Sequence, residues 1–512
     1  MPTIFKSKTF FNCLIFIILF VALFLRLKII TTQNVTSIET FTLLEVIKNP
    51  TLIELVEADD SIPPLQYLIV RFISWFSTEL FWLRVPNLLF FTVIFFIIVD
   101  VVKKRGKLMT LVALMLFSFS PYQLEHHWES YVYLLFQFWA AVNLYAFYKL
   151  AVEKLKKNRL VLWSIIFVLT NLCGFFTHYS YIWFILAEGI YLLFLFIQKR
   201  FFSIKVKIKY KRPLVLVLIT AFILALYLPV FFSVYHTALE NISWFSRLKL
   251  FDIGYNFLAI FGIYNLWHYV TIDRPYTDIV GLVILSFFLI FSILRLKKNK
   301  QANLINDFGF FLTLSSILLV FLVSKVIGQS ILEKRTLIAL SLVAIIYLAD
   351  LIVFGLKQKM FIKILTICLT SLLFLHYFVE DKQYLKEQFY TAQETTPSLV
   401  EFAHKEKIQA LLFLKPVSCE YPQDKNGMFH LEFDYYWYGY DGSVKKPPYF
   451  LIRDSSYSQF FKKKDYWIIG NDCDLEKNKH LVEDQCLSIG KKYVIGSIGF
   501  LIECKNEVDL KN

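Results

Sequence analysis

Long apolar runs broken by short polar turns fill the chain up to about residue 380, beyond which the texture changes. The runs lie at about 9–30, 81–102, 108–124, 130–149, 160–176, 181–198, 213–232, 278–296, 306–324, 335–355 and 361–379. A helix needs about 20 mostly apolar residues to cross a hydrocarbon layer of roughly 30 Å, so the pattern predicts a polytopic α-helical membrane protein with about eleven transmembrane helices. The first run is long and is followed by Arg26 and Lys28 with no small-residue cleavage site, so it is expected to be a retained helix, not a signal peptide. Beyond 380, strand-like pieces such as QALLFLKPV, MFHLEFDYYWYGY, DYWIIG and KKYVIGSIGFLIE alternate with polar loops. They predict a soluble α/β domain over 381–512, large enough for its own core, after a membrane domain over 1–380.

The charged positions orient this pattern. Basic turns at Lys103–Lys107, Lys154–Arg159, Lys199–Arg212, Arg295–Lys300 and Lys357–Lys363 fall on alternate loops, which assigns those loops and the N-terminus to the cytoplasm. An odd number of crossings then places the C-terminal domain outside, in a bacterial inner or plasma membrane setting. The first outer loop, 31–62, carries Glu39, Glu45, Glu54, Glu57, Asp59 and Asp60 against a lone Lys48. The spacing of Leu43, Leu44, Ile47, Leu52 and Leu55 predicts a short interfacial helix there, its acids toward water.

Composition narrows the class. The 512 residues are 57% hydrophobic, 18% aromatic and 18% charged, with a mean hydropathy of +0.55, which excludes an ordinary soluble protein. The net charge of +14 is largely the signature of the cytoplasmic turns and does not indicate nucleic acid binding. Four of the seven cysteines, Cys419, Cys473, Cys486 and Cys504, fall in the C-terminal domain, which suggests two disulfides in an oxidising compartment, with all three pairings open and buried thiols the alternative. Cys13, Cys173 and Cys368 lie in spans as small packing residues. Asn34 and Asn241 head glycosylation triplets on the outer side.

Five segments then carry a resemblance. DSIPPLQYLIVRFISWFSTELFWLRVPN, from Asp60 to Asn87, resembles the Asp-x-His-Pro-Pro-Leu-Tyr segment and the following Leu-Arg-Leu-Pro-Ser turn of GT-C glycosyltransferases, specifically the protein-mannosyltransferase and aminoarabinose-transferase-like group, a family 39-like set. SPYQLEHHWESYVYLL resembles the group's Gln-Glu-Ala-Arg-Met-Tyr-Ala-Leu stretch, and FFTHYSYIWFILAEGIYLL its Tyr-Thr-His-Tyr helix start. ALYLPVFF is similar to the seventh-helix ending, and EKRTLIALSLVAIIYLADL to Arg-Tyr-Leu-Ile-Pro-Leu. The motifs run in the group's order over about residues 10–355. The pattern departs at Ile62, where histidine is usual, at Tyr131 in place of arginine, and at Thr336 in place of tyrosine.

The resemblance implies an enzyme that moves a sugar from a polyprenyl-phosphate-linked donor to a lipid, glycan or protein acceptor on the outer face, with inversion. Asp60, two residues before the proline pair that would hold it on a defined turn, is the implied general base, with Asp59 and Glu57 as competitors. Arg335 is the implied ligand of the donor phosphate, with Lys334 and Lys325 nearby and Arg84 either a second cation or an interfacial anchor. Glu129 and His178 are expected at the same membrane depth, as supporting groups or, for Glu129 with Asp60, as ligands of a divalent metal ion. His126 and His127 cannot easily share an ion, since adjacent helical residues point about 100° apart. Two other classes stay open: a transporter or lipid flippase, and a GT-C-like binding or assembly protein without catalysis.

Overall fold

The computed structural model describes residues 7–32, 46, 63–77, 79–127, 132–201, 211–241, 258–263, 304–327 and 337–390, scattered helical positions between 283 and 295, and five strands beyond 410 given as backbone. The chain divides into two compact units, one of residues 1–31 and 51–383, the other of residues 32–50 and 384–512. The predicted loop helix over 43–55, MFHLEFDYYWYGY and Cys419, Cys473 and Cys486 lie outside the described residues, apart from Val46, which is helical and buried.

The first unit is helical. Its elements are α1 (Lys8–Thr32), α2 (Leu65–Ser74), α3 (Leu80–Val102), α4 (Lys107–Phe119), α5 (Pro121–His126), α6 (Val132–Val152), α7 (Lys157–Phe175), α8 (Tyr181–Phe201), α9 (Lys211–Asn241), α10 (Leu304–Ile327), α11 (Ile338–Leu356) and α12 (Met360–Tyr390). Helices therefore meet every predicted span but 278–296, of which only scattered positions are described. Among the described residues, and by length and composition alone, five helices, α1, α3, α7, α11 and α12, are long and apolar enough to cross a membrane. The buried stripes of these helices form one hydrophobic core, and their outer faces present large apolar side chains such as Phe20, Leu89, Leu169 and Phe361. An apolar exterior around an apolar core is what a lipid-facing bundle requires.

Local sequence explains the departures from simple spans. The run 108–124 breaks at Ser120 because Pro121 lacks an N–H and takes the first position of α5, with Ser120 extended ahead of it. Gly106, at φ +118°, ends the short 3-10 turn Lys103–Arg105 in a conformation open to glycine alone. The arginine-proline element WLRVPN does not form a turn; Pro86 lies inside α3, where its missing N–H and its ring perturb the first turns.

Among the described residues, basic side chains that follow α3, lie in the last turn of α6 or stand at Arg295 gather at one end of the bundle, held by ion pairs. Lys104 and Lys149 each meet Glu153 at 3.0 Å, Lys149 and Lys103 meet Asp100, and Asp350 receives Arg295 at 2.9 Å and Arg105 at 3.5 Å. Partial burial pushes the Glu153 carboxyl up, but the bonds from Lys104 and Lys149 prevail and hold it below the ordinary carboxylate range.

The described part of the second unit is a five-stranded sheet of β1 (Leu411–Phe413), β2 (Tyr449–Leu451), β3 (Tyr466–Gly470), β4 (Ser488–Ile495) and β5 (Gly499–Lys505), in the order β2-β1-β3-β5-β4. β1 runs parallel to β2 and β3, whereas β5 pairs antiparallel with β3 and β4, with an irregularity between Ile489 and Lys492. β1 and β3 fall within the strand-like pieces QALLFLKPV and DYWIIG; KKYVIGSIGFLIE is divided between β4 and β5, each of which runs beyond it; β2 falls in none of them.

Candidate functional site

At the end of the bundle opposite the basic turns, the motif segments meet through buried polar side chains. Arg26, near the end of α1, is fully buried and donates from Nη1 to the carbonyls of Ala22 (3.2 Å) and Ser118 (3.1 Å). Its guanidinium carbon lies 3.8 Å from the centre of the Phe91 ring. Its Nη2 lies 3.2 Å from His127 Nδ1, and His127 Nε2 lies 2.7 Å from Gln137 Oε1. A carbonyl oxygen can only accept, so His127 carries its proton on Nε2 and takes Arg26 on Nδ1. Burial and the neighbouring cation hold this imidazole well below its ordinary value, so it stays neutral. Gln137 Nε2 in turn faces Gln123 Oε1 (2.8 Å), Ser341 Oγ (2.9 Å) and the carbonyl of Ile338 (3.1 Å). Gln123 Nε2 donates to Ser341 Oγ at 2.7 Å. One chain of contacts thus joins α1, the α4–α5 junction, α6 and the start of α11.

A second limb joins it. The backbone N–H of Leu65, directly after the proline pair, donates to the carbonyl of Phe176 at 3.1 Å, so the head of α2 is pinned to the turn between α7 and α8. That turn carries His178, whose Nδ1 accepts from the Ser180 N–H at 3.1 Å and whose ring lies 5.4 Å from that of Phe136, the neighbour of Gln137. Desolvation against these rings lowers the His178 imidazole to about 4. A third contact closes the same end of the bundle: Tyr377 donates to the carbonyl of Phe261, and His376 Nε2 lies 3.2 Å from that of Ile263. Gly262 sits between, at φ +75°.

Of the residues singled out from the sequence, Arg84, His126, His127, His178 and Lys325 are described; Lys325 is exposed in the last turn of α10, its Nζ 5.6 Å from the centre of the Phe321 ring. Arg84 is fully buried and spends one donor, Nη1, on the carbonyl of Ile30 at 3.3 Å, in the last turn of α1, where a helix exposes unpaired carbonyls and favours a cation. Asp60, Asp59, Glu57, Glu129, Arg335 and Lys334 lie outside the described residues. Their flanks do not: Leu65, His127, Val132 and Ile338 all belong to the segments just joined. Among the described residues no group of three or more His, Cys, Asp or Glu side chains is placed to hold a metal ion. His127 has both ring nitrogens committed, so it does not supply a metal ligand.

Sequence reasoning missed Arg26, Gln123, Gln137 and Ser341. A signal was present, since a cation or an amide inside an apolar run is costly unless something buried receives it. Arg26 was assigned to the flank of the first run, when its side chain is among the largest fully buried ones.

No protein-family model and no curated protein matches the chain by sequence. Solved structures do match it in fold. ArnT from Cupriavidus metallidurans bound to undecaprenyl phosphate aligns over 99% of this chain and 100% of its own, with a TM-score of 0.53 and 9% identity. The apo form of the same protein aligns over 96% and 97%, with a TM-score of 0.54 and 9% identity. The apo oligosaccharyltransferase of Archaeoglobus fulgidus aligns over 91% of this chain and 70% of its own, with a TM-score of 0.51 and 12% identity. These are GT-C glycosyltransferases, and the chain is a polytopic helical membrane protein of the GT-C fold. The motif order had led to the same fold.

Proposed function

We propose that the chain is a membrane glycosyltransferase that moves a sugar from a polyprenyl-phosphate donor to an acceptor at the outer face of the membrane. The observation that carries this reading is the meeting of four motif segments, scattered over nearly 300 residues, at one end of a GT-C bundle: Leu65 on Phe176, His178 on Phe136, Gln137 on Ile338 and Gln123 on Ser341. Two of the similar structures carry it further by analogy, since one was crystallised with undecaprenyl phosphate and another is an oligosaccharyltransferase.

In this reading Asp60 takes the proton of the acceptor hydroxyl as its oxygen attacks the anomeric carbon. The new glycosidic bond forms as the bond from that carbon to the phosphate oxygen breaks, with inversion, and polyprenyl phosphate leaves. Arg335 stabilises the charge that gathers on the leaving phosphate, where a guanidinium in a low-dielectric site acts far more strongly than one in water. Arg84 contributes positive charge from behind α1, and His178, neutral at physiological pH, can accept or donate a hydrogen bond without adding charge. The chain crosses the membrane about eleven times, basic turns inward and the C-terminal domain outward, where it takes part in acceptor binding.

The reading is tested in cells lacking the protein by mass spectrometry of polyprenyl-phosphate lipids. A lipid-linked sugar should accumulate, disappear when the wild-type chain is restored, and persist with Asp60→Asn expressed to the same level. Disappearance of the lipid with the Asn variant would remove Asp60 as the base.

A further inference from the structure

The proposed site leaves Gln137 unused, although this fully buried amide is the junction of the whole polar chain. Its Oε1 faces the His127 Nε2–H, and its Nε2 has three acceptors around it, one on α5 and two on α11. The amide could be turned either way in an apolar site, but here it cannot: His127 presents a donor because Arg26 occupies its other nitrogen. Arg26 is itself fixed by two carbonyls and by the face of Phe91. The orientation of a single amide is therefore set from α1, and its contacts tie α5 and α11 to α6.

Both neighbours lead directly to the proposed chemistry. His127 is two residues before Glu129, and Ile338 is three residues after Arg335. We infer that Gln137, oriented by Arg26 through His127, is a positioning residue that fixes the first turn of α11 against α5 and α6 and so shapes the seat of a lipid-linked phosphate. This rests on the transferase reading, in which Arg335 meets that phosphate. Gln137 itself does not touch substrate; it acts through the first turn of α11. Such a role calls for a side chain that is fully satisfied and nearly rigid, which a glutamine with its oxygen and nitrogen both engaged provides.

The test uses the full chain in lipid nanodiscs with undecaprenyl phosphate as the probe, since that lipid is the product whatever sugar is moved. Binding is measured for the wild type, Gln137→Met, Arg335→Ala and the double variant, with melting midpoints recorded alongside. Methionine keeps the length and bulk of the side chain but removes every polar contact. Gln137→Met should weaken binding about tenfold, in the range of couplings between groups that share a network, and should add nothing once Arg335 is Ala. A merely structural role would lower the melting midpoint and weaken binding by the same factor in both backgrounds. Unchanged binding in Gln137→Met, or factors that multiply in the double variant, would overturn the inference. If the wild type ignores the lipid, or Arg335→Ala binds it as well as the wild type, the transferase reading itself fails. Should Gln137→Met not fold, Ser341→Ala, which removes one of the facing oxygens, is judged by the same two criteria with a smaller expected loss.

Discussion

Gly174 has no room for a methyl group. A Cβ built there would come within 2.5 Å of Cζ of Tyr181 and closer still to two other ring atoms, against about 3.4 Å for an ordinary contact. The ring cannot retreat. Tyr181 is fully buried, 5.4 Å from Phe136 on one side and 5.2 Å from Phe184 on the other. Gly174→Ala must therefore part α7 from α8 or drive Tyr181 off its rotamer, and overpacking of this kind costs about 1–3 kcal/mol. The gain in helix propensity from glycine to alanine offsets up to about 1 kcal/mol of that.

The assay is thermal unfolding of the purified full chain in detergent, followed by loss of monodisperse elution, in a double-mutant cycle with Tyr181→Ala. Gly174→Ala should lower the midpoint by several degrees in the wild-type background and leave it unchanged or raise it once the ring is gone, a coupling of about 1–3 kcal/mol. The effect should reach the proposed site, because the Tyr181 N–H donates to the carbonyl of His178 at 2.9 Å. Equal costs in both backgrounds, or wild-type melting of Gly174→Ala, would refute the close approach of these helices.

Three further outcomes follow from the same contacts. His178 titrates near 4 when folded and near 6.5 when unfolded, so the unfolded chain binds the extra proton first; stability is full above about pH 6.5 and falls as pH drops toward 4. For a part-buried ring the loss should be about 1–2 kcal/mol, and melting midpoints between pH 7 and 4 should lose this component in His178→Gln. Asp350→Ala removes the carboxylate that meets both Arg295 and Arg105, and should destabilise the bundle by about 1–3 kcal/mol, read as a lower midpoint, with Asp350→Glu recovering most of it. Gly262→Ala combines a left-handed backbone with a Cβ only 2.6 Å from Ser120 Oγ, and should cost about 1–3 kcal/mol; Ser120→Ala should remove the closest contact but neither the tight approach to Tyr377 at 3.0 Å nor the backbone strain.

Hydropathy alone located α1, α3 and α6–α12, because a span is written in one contiguous stretch and a membrane leaves the backbone few options but helix. The exceptions are local and have local causes. Pro121 splits the run at 108–124 after Ser120, and α2 is too short to register as a span, although its buried Gln66, Tyr67 and Val70 lie on one face and Phe72 is exposed. The motif order was legible because its residues keep their chain positions relative to helix ends, and it anticipated the fold before any contact was known.

The support of the site was not legible, for a different reason. Gln137 meets a serine 204 residues away and a carbonyl 201 residues away, and nothing in the local pattern of α6 encodes that register. What a sequence does carry is the cost: an amide or a guanidinium in hydrocarbon must be received by something, and the partner must lie at the same depth. Applied to Arg26, about a turn and a half from the end of α1, that rule calls for acceptors at the same depth, near the ends of neighbouring helices. Ser118, one residue from the end of α4, and His127, one residue past the end of α5, are at that depth. Depth matching of lone polar residues across spans therefore selects the right helix ends, and only the choice of partner within an end depends on packing that the linear pattern does not contain.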